Sequence, residues 1–289
     1  MLAAQSPDQT VEEEGKAMAD DNNISRREFV RFSAAGLAAA SAAGAMGDLT
    51  PLQATLPTRT LGATGLEVSM LSFGGGSQFL ANEAGVWERM LERAVELGIN
   101  YFDTSAGYVY GAPESSEERF GEILTPIRDQ VIIATKFDSR DPDEAMQEFE
   151  RSLTRMKTDY VDILMIHAIA PSDDIPSLES GVYRELRRLK EEGTARFIGF
   201  SSMDSAQRSR EVIEALDFDV ALLAMNATGY GSYITEALPA AQRKNMGVLA
   251  MKVMRDIVGT SATPEELLRH ALSLEGVATA LVSPHGMEK

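Results

Sequence analysis

The chain has 289 residues, 44% of them hydrophobic and 25% charged, enough for one large domain with a real core. It has no cysteine and three histidines, which excludes disulfides and thiolate metal sites and argues against a multi-histidine metal centre. A formal net charge of −17 argues against sequence-independent nucleic-acid binding and against docking on anionic lipid, since both need clustered Lys and Arg.

Residues 1–24 are polar and acidic, carry Glu12-Glu13-Glu14 and Asp20-Asp21, and read as a disordered lead. Residues 25–47 begin with Ser25-Arg26-Arg27-Glu28-Phe29-Val30-Arg31 and continue as a weakly apolar run, Phe32 to Gly47, rich in Ala and Gly. Basic residues before an apolar stretch have the layout of an export signal. Paired arginines followed by a hydrophobic residue two positions on resemble the twin-arginine signal. That resemblance implies the Tat export machinery as a partner, which moves folded proteins, and an extracytoplasmic or signal-anchored location. The run is too short and Ala-rich for a stable membrane span, which needs about 20 strongly apolar residues. Ala43-Gly44-Ala45 offers a small-x-small cleavage site, and Met18 is a more natural start than Met1. Residues 48–56 read as a linker and 57–289 as the folded body.

In the body, Arg59-Thr60-Leu61 and Leu66-Glu67-Val68 flank a turn over Gly62–Gly65, which predicts a β-hairpin. Strand-like apolar runs follow at Met70–Phe73, Ile99–Asp103, Val131–Lys136, Val161–His167, Phe197–Ser201, Val220–Met225, Val248–Met251 and Val277–Val282. Their spacing, roughly 24–35 residues, is that of a βα unit. Helical patterns lie between them. Val86, Met90, Ala94 and Leu97 share one face, as do Ala145, Met146, Phe149, Leu153 and Met156. Thr263-Pro264-Glu265-Glu266 starts another helix with a cap, a first-turn proline and acidic residues at the positive end of the dipole. Eight strands alternating with helices suggest a closed parallel barrel, with a doubly wound open sheet as the other solution.

Three strands end in ionisable groups: Asp103, Lys136 and His167, with Tyr108 five residues beyond the first. In a βα barrel such ends converge on one face, where active sites are built. Taken singly, Asp103 reads equally as a turn cap, Lys136 as a solvated strand end and His167 as a core histidine.

From Arg59 onward the chain resembles the aldo-keto reductases. The resemblance is carried by RTLGATGLEVS, LSFGGG, YFDTSAGY, SSEERFG, IIATKF, SLTRMKTDYVDILMIH, FIGFSS and GVLAMKVM. It implies a (β/α)8 barrel that uses NADP(H), and sometimes NAD(H), to interconvert a small-molecule carbonyl and an alcohol. It also implies that Asp103, Tyr108, Lys136 and His167 form the catalytic tetrad. The chemistry agrees. Carbonyl reduction needs a hydride, which only a cofactor supplies, and a proton donor with a pKa near the working pH. Tyrosine ionises near ~10, and a nearby ammonium is expected to lower that value. Tyr108 is then the acid/base, Lys136 its tuner, Asp103 the partner of the lysine, and His167 the group that orients the carbonyl. Tyr110-Gly111 competes, because the family commonly places glycine directly after the tyrosine, but the offset from Asp103 favours Tyr108.

Expected cofactor positions are Gly74 and Gly75, Ser201 and Ser202, Asn226, Lys252 and Ser283. Ser202 stands where the family has asparagine, and Leu222 where it commonly has glutamine, with Asn226 as a substitute. Only seven residues follow the eighth strand, including Pro284 and Gly286, so the barrel is expected to lack its last helix. A partner or a missing C-terminal segment is then expected to cover the outer faces of the eighth and first strands. An alternative reading is a nicotinamide-nucleotide-binding sensor or regulatory subunit without turnover.

Overall fold

The computed structural model describes residues 56–255, 257 and 262–286. The acidic lead, the export signal and all but the last residue of the linker lie outside the described residues.

Strand β1 (Thr58–Thr60) pairs antiparallel with β2 (Glu67–Ser69), as the turn residues predict. The turn between them is a 3-10 segment, Gly62–Thr64, closed by Gly65 in the left-handed region. It docks on the floor of the barrel: the Ala63 N–H donates to Asn245 O at 2.8 Å, just ahead of the strand that begins at Gly247. Leu61, Leu66 and Val68 are buried in one cluster with Tyr101, Ile132, Ile163, Val220, Leu222 and Leu249. The hairpin therefore plugs the barrel with apolar side chains.

The barrel strands are β3 (Leu71–Gly74), β4 (Tyr101–Asp103), β5 (Ile132–Phe137), β6 (Val161–Ile166), β7 (Ala195–Ser202), β8 (Val220–Ala224), β9 (Gly247–Met251) and β10 (Val277–Val282). All eight run parallel, and β10 closes the barrel by pairing with β3, Ala280 opposite Leu71. Closure settles the choice between barrel and open sheet. Because neighbouring side chains on a strand face opposite sides, each strand feeds two cores. Tyr101, Ile132 and Ala134 point into the interior cluster, whereas Phe102, Ile133 and Phe137 pack outward against helices.

The outer layer contains α1 (Ser77–Leu80), α2 (Trp87–Glu96), α3 (Ser116–Leu124), α4 (Pro142–Met156), α5 (Ile175–Ser180), α6 (Val182–Glu192), α7 (Ala206–Ala215), α8 (Ala237–Arg243) and α9 (Pro264–Ser273). Caps define several of these. Ser115 and Glu118 form a capping box at α3, Thr263 and Glu266 another at α9, and Asp141 caps α4 ahead of a first-turn proline. Met90 and Ala94 of α2 face the outer core as expected; Leu97 lies at its C-cap and is 40% exposed. The described residues after β10, 283–286, form no helix. The exposure expected beside them is slight: Val277 to Ala280 are buried, and within β3 and β10 only Leu71, Leu281 and Val282 are half-buried. No helix among the described residues is long and apolar enough to cross a membrane.

Candidate active site

Period-two alternation places Asp103 and Lys136 in the interior. Asp103 follows inward-facing Tyr101, and Lys136 follows inward-facing Ile132 and Ala134, so both enter the uppermost layer of the barrel. Both side chains are buried, and Lys136 Nζ lies 2.6 Å from Asp103 Oδ2. The same ammonium donates to Thr104 O at 2.6 Å. Neither bland reading holds: the lysine is not a solvated strand end, and the aspartate caps nothing. Burial raises the Asp103 carboxyl above its ordinary value, and Lys136 opposes that shift.

The loop after β4 is bolted to β5. Thr104 N–H donates to Ala134 O, Ala106 N–H to Lys136 O, and Tyr108 N–H turns back onto Ser105 O. This brings the Tyr108 ring over the lysine, with Lys136 Nζ 5.1 Å from its centroid. The His167 ring meets Tyr108 edge-on, centroids 5.5 Å apart. His167 follows the last residue of β6, and its N–H donates to Phe137 O. Asp103, Tyr108, Lys136 and His167 thus come together at one end of the barrel. Tyr110 packs on Tyr108 with centroids 5.7 Å apart, but it is 59% exposed.

One expectation is overturned. The Tyr108 phenol is held well above its ordinary value rather than below it. Burial is the main cause, followed by the negative charge of Asp103 and by Tyr110 and Asp138. The physical reason is that Lys136 is committed to Asp103 and Thr104 and presents its charge to the ring face, so Asp103 dominates the field at the phenol.

The expected cofactor positions divide. Gly75 has a packing role: its N–H donates to Asp103 O at 2.7 Å, and an added Cβ would run into Ser116 Oγ. A Cβ on Gly74 would sit 3.3 Å from Val282 O, so that glycine serves closure against β10. Ser202 Oγ is bound to Ile169 O and Tyr233 Oη, and Asn226 Nδ2 donates to Lys252 O and Arg255 O. Leu222 faces the interior cluster. Ser201 Oγ accepts from Ala168 N–H, and Ser283 Oγ accepts from Phe79 N–H. A hydroxyl that accepts still carries a proton to donate. Lys252 follows β9 at φ +59°, and its ammonium is lowered by lost hydration, then by Arg255 and Lys136. A Cβ on Gly76 would lie 3.7 Å from Ser283 Oγ and 4.0 Å from Tyr108 Cε2, so the glycine keeps the space beside both open. An open cradle between tyrosine and serine, with crowded cations nearby, fits a polar anionic cofactor. Among the described residues no cluster of His, Cys, Asp and Glu could hold a metal ion.

The structure also brings in Asp138, whose carboxylate lies 2.6 Å from His167 Nδ1, and Arg140 beneath it. Sequence reasoning passed over Asp138, although period two from Lys136 puts it on the same side of the strand.

Residues 71–265 match the family model described as the Aldo/keto reductase family. The chain is 30% identical over 242 residues to an L-galactose dehydrogenase of Arabidopsis thaliana, covering 78% of this chain and 74% of that protein. It is 34% identical over 157 residues to the uncharacterized oxidoreductase YqkF of Bacillus subtilis; that match covers 50% of this chain and spans only about half, 48%, of the relative's length. A putative aldo-keto reductase of Pseudomonas aeruginosa superposes with a TM-score of 0.66 at 25% identity, covering 83% of this chain and 93% of that one. The holo form of an aldo-keto reductase from Bacillus halodurans shares the fold, with a TM-score of 0.66 at 22% identity over 79% of this chain and 87% of that one. The chain belongs to the aldo/keto reductase family, whose members are NAD(P)H-dependent oxidoreductases.

Proposed function

We propose that the protein interconverts a small-molecule aldehyde or ketone with the corresponding alcohol, using NADP(H) or, less favourably, NAD(H). The observation that carries this reading is the buried Lys136–Asp103 pair with Tyr108 stacked on its ammonium and His167 edge-on to the tyrosine. A bound nicotinamide would supply the hydride, which no side chain can. Ser201, Ser283 and Lys252 would hold that cofactor, the lysine by pairing with phosphate.

Tyr108 delivers the proton to the developing alkoxide. Its phenol stays protonated across the neutral range because burial and Asp103 disfavour the phenolate. Lys136 fixes the ring through its face, and Asp103 holds the ammonium in place. His167 hydrogen-bonds the substrate oxygen and sets its approach. Two relatives with long alignments are named for sugar oxidation, L-galactose dehydrogenase and D-threo-aldose 1-dehydrogenase. Aldoses therefore belong beside simple aldehydes among the substrates we propose. A second reading, a nucleotide-binding sensor without turnover, is disfavoured by the assembled proton-handling set.

The test follows loss of NADPH absorbance with 4-nitrobenzaldehyde and its appearance from NADP+ with L-galactose, for the wild type and Tyr108→Phe. Turnover in the wild type, reduced about 10²–10⁴-fold in the variant with cofactor binding retained, supports the reading. Equal rates in both proteins would move the proton donor elsewhere. We also propose that Arg26-Arg27 directs export of the folded protein through the Tat machinery.

A further inference from the structure

His167 does not stand alone at the mouth of the barrel. Asp138 Oδ1 lies 2.6 Å from its Nδ1, and Ser105 Oγ lies 3.4 Å from the same atom. No bond made by Nε2 is among the described contacts. The Asp138 backbone that carries this carboxylate is itself held. Its N–H donates to Glu148 Oε2 at 2.7 Å, and Arg140 Nη1 donates to its carbonyl at 2.9 Å. Arg140 Nη2 donates to His167 O at 2.9 Å and to Ala168 O at 3.2 Å, so one guanidinium ties the two strand ends together. Asp173 fixes that guanidinium from behind at 2.8 Å. The second carboxylate oxygen occupies the space a Cβ on Gly107 would need, directly before Tyr108. Asp138 is thus wedged between the tyrosine loop and the histidine.

We propose that Asp138 is a positioning residue that holds His167 as its Nδ1–H tautomer, so that Nε2 meets the substrate oxygen as an acceptor when the ring is neutral and as a donor only when the ring is protonated. Which ring nitrogen carries the proton is set by the partner of the other, and a carboxylate accepts only. The hydrogen bond from His167 holds the Asp138 carboxyl below its ordinary value, which keeps it an acceptor. His167 exchanges no atom with the substrate in this role; it donates or accepts one hydrogen bond. The inference rests on the carbonyl–alcohol reading above and adds a direction to it. A neutral ring is matched to a bound alcohol, whose hydroxyl donates. A protonated ring is matched to a bound carbonyl, which accepts. The charged and titratable groups facing the ring are Asp138 and Lys136 from the end of β5 and Asp103 and Tyr108 from the end of β4, with Arg140 on its backbone side.

The test begins without substrate. Full-length protein labelled with 15N-histidine is observed by long-range 1H–15N correlation, and His167 is told from His270 and His285 by the spectrum of His167→Gln. In the wild type at alkaline pH the neutral His167 ring should show a protonated Nδ1 and a bare Nε2. Asp138→Ala should move most of the proton to Nε2, and Asp138→Asn, which keeps an acceptor oxygen, should retain Nδ1–H. A wild-type ring protonated at Nε2 overturns the proposal with no variant needed, and so does an unchanged tautomer in Asp138→Ala. The kinetic arm uses NADPH and 4-nitrobenzaldehyde. Asp138→Ala should lower kcat/KM near neutrality by ~10–100-fold. It should also flatten the alkaline loss of reduction, because a neutral Nε2–H can then donate. An alkaline limb identical to that of the wild type overturns the catalytic consequence. Absence of aldehyde reduction in every protein would sink the functional reading, while the tautomer spectra would still decide the role of Asp138.

Discussion

At the scale of single residues, the decisive pair is Asp103 and Lys136. Two charges buried at 2.6 Å cost several kcal/mol of hydration each, and their attraction repays this only while both are present. Lys136→Met would leave Asp103 buried with its main opposing charge gone. Asp103 already has a raised carboxyl pKa, so its contribution to stability is present below its unfolded value and is lost as pH rises through the folded value. Removing the ammonium raises the folded value further and enlarges that loss. We expect Lys136→Met to be less stable than the wild type by about 3–5 kcal/mol at pH 8, with a smaller deficit at pH 5. Urea midpoints at the two pH values measure this; an equal deficit at both would mean that Asp103 does not carry the effect. Asp103 Oδ1, buried without a hydrogen-bond partner, shows how little reserve the site has once its lysine is removed.

At the scale of elements, strand ends do the positioning and the hairpin sets the floor. Gly62 shows why that hairpin has its turn chemistry. Its φ is +51°, where a side chain is strained, and a Cβ there would run into the backbone of Met246 and Gly247 at the start of β9. Gly62→Ala should therefore push the plug off the barrel and cost about 1–3 kcal/mol or more. The thermal midpoint should fall by roughly 2–4 °C per kcal/mol for a domain of this size. Tyr108 and Lys136 lie at the opposite end, so cofactor binding at low temperature should survive. A midpoint within one degree of the wild type would show that the turn adjusts without strain. Caps act more locally: the capping boxes at α3 and α9 each satisfy two backbone donors, and they explain why both helices begin where Ser115 and Thr263 stand.

At the scale of the whole molecule, closure links residues at opposite ends of the folded body. Ala280 pairs with Leu71, and Arg59 of the hairpin donates to Leu272 O and Val277 O. The contacts to Ala280 and Val277 form only after β10 has been made, so the barrel completes late, after non-local loop entropy has been spent. A route that carries folded proteins suits a chain of this kind, which gives the export proposal a physical rationale. Replacing Arg26 and Arg27 by lysine should leave folded protein in the cytoplasm, because the charge is kept while the paired guanidinium forks are lost. Fractionation followed by immunodetection of the barrel measures it, and normal export of the Lys-Lys form would refute the twin-arginine assignment.

Periodicity alone carried the fold a long way. Near-continuous apolar strands at βα spacing, a glycine-bounded hairpin and the Thr263–Glu266 cap each state a local backbone preference, and every predicted strand occurs within a few residues of its expected bounds. The positions of Asp103, Lys136 and His167 were legible for the same reason, since a strand end is a local property. What needed the tertiary structure was everything set by neighbours distant in the chain. The raised Tyr108 phenol depends on where Lys136 spends its hydrogen bonds, 28 residues further on, and on the field of Asp103 and Asp138. Gly74 and Gly75 proved to serve packing against β10 and α3, and Ser202 and Asn226 proved to be bound within the protein. The pairing of Asp138 with His167 joins two adjacent strands through side chains, which no one-dimensional pattern encodes. Local backbone preference is written residue by residue, but a field or a hydrogen-bond partner exists only once the barrel has closed.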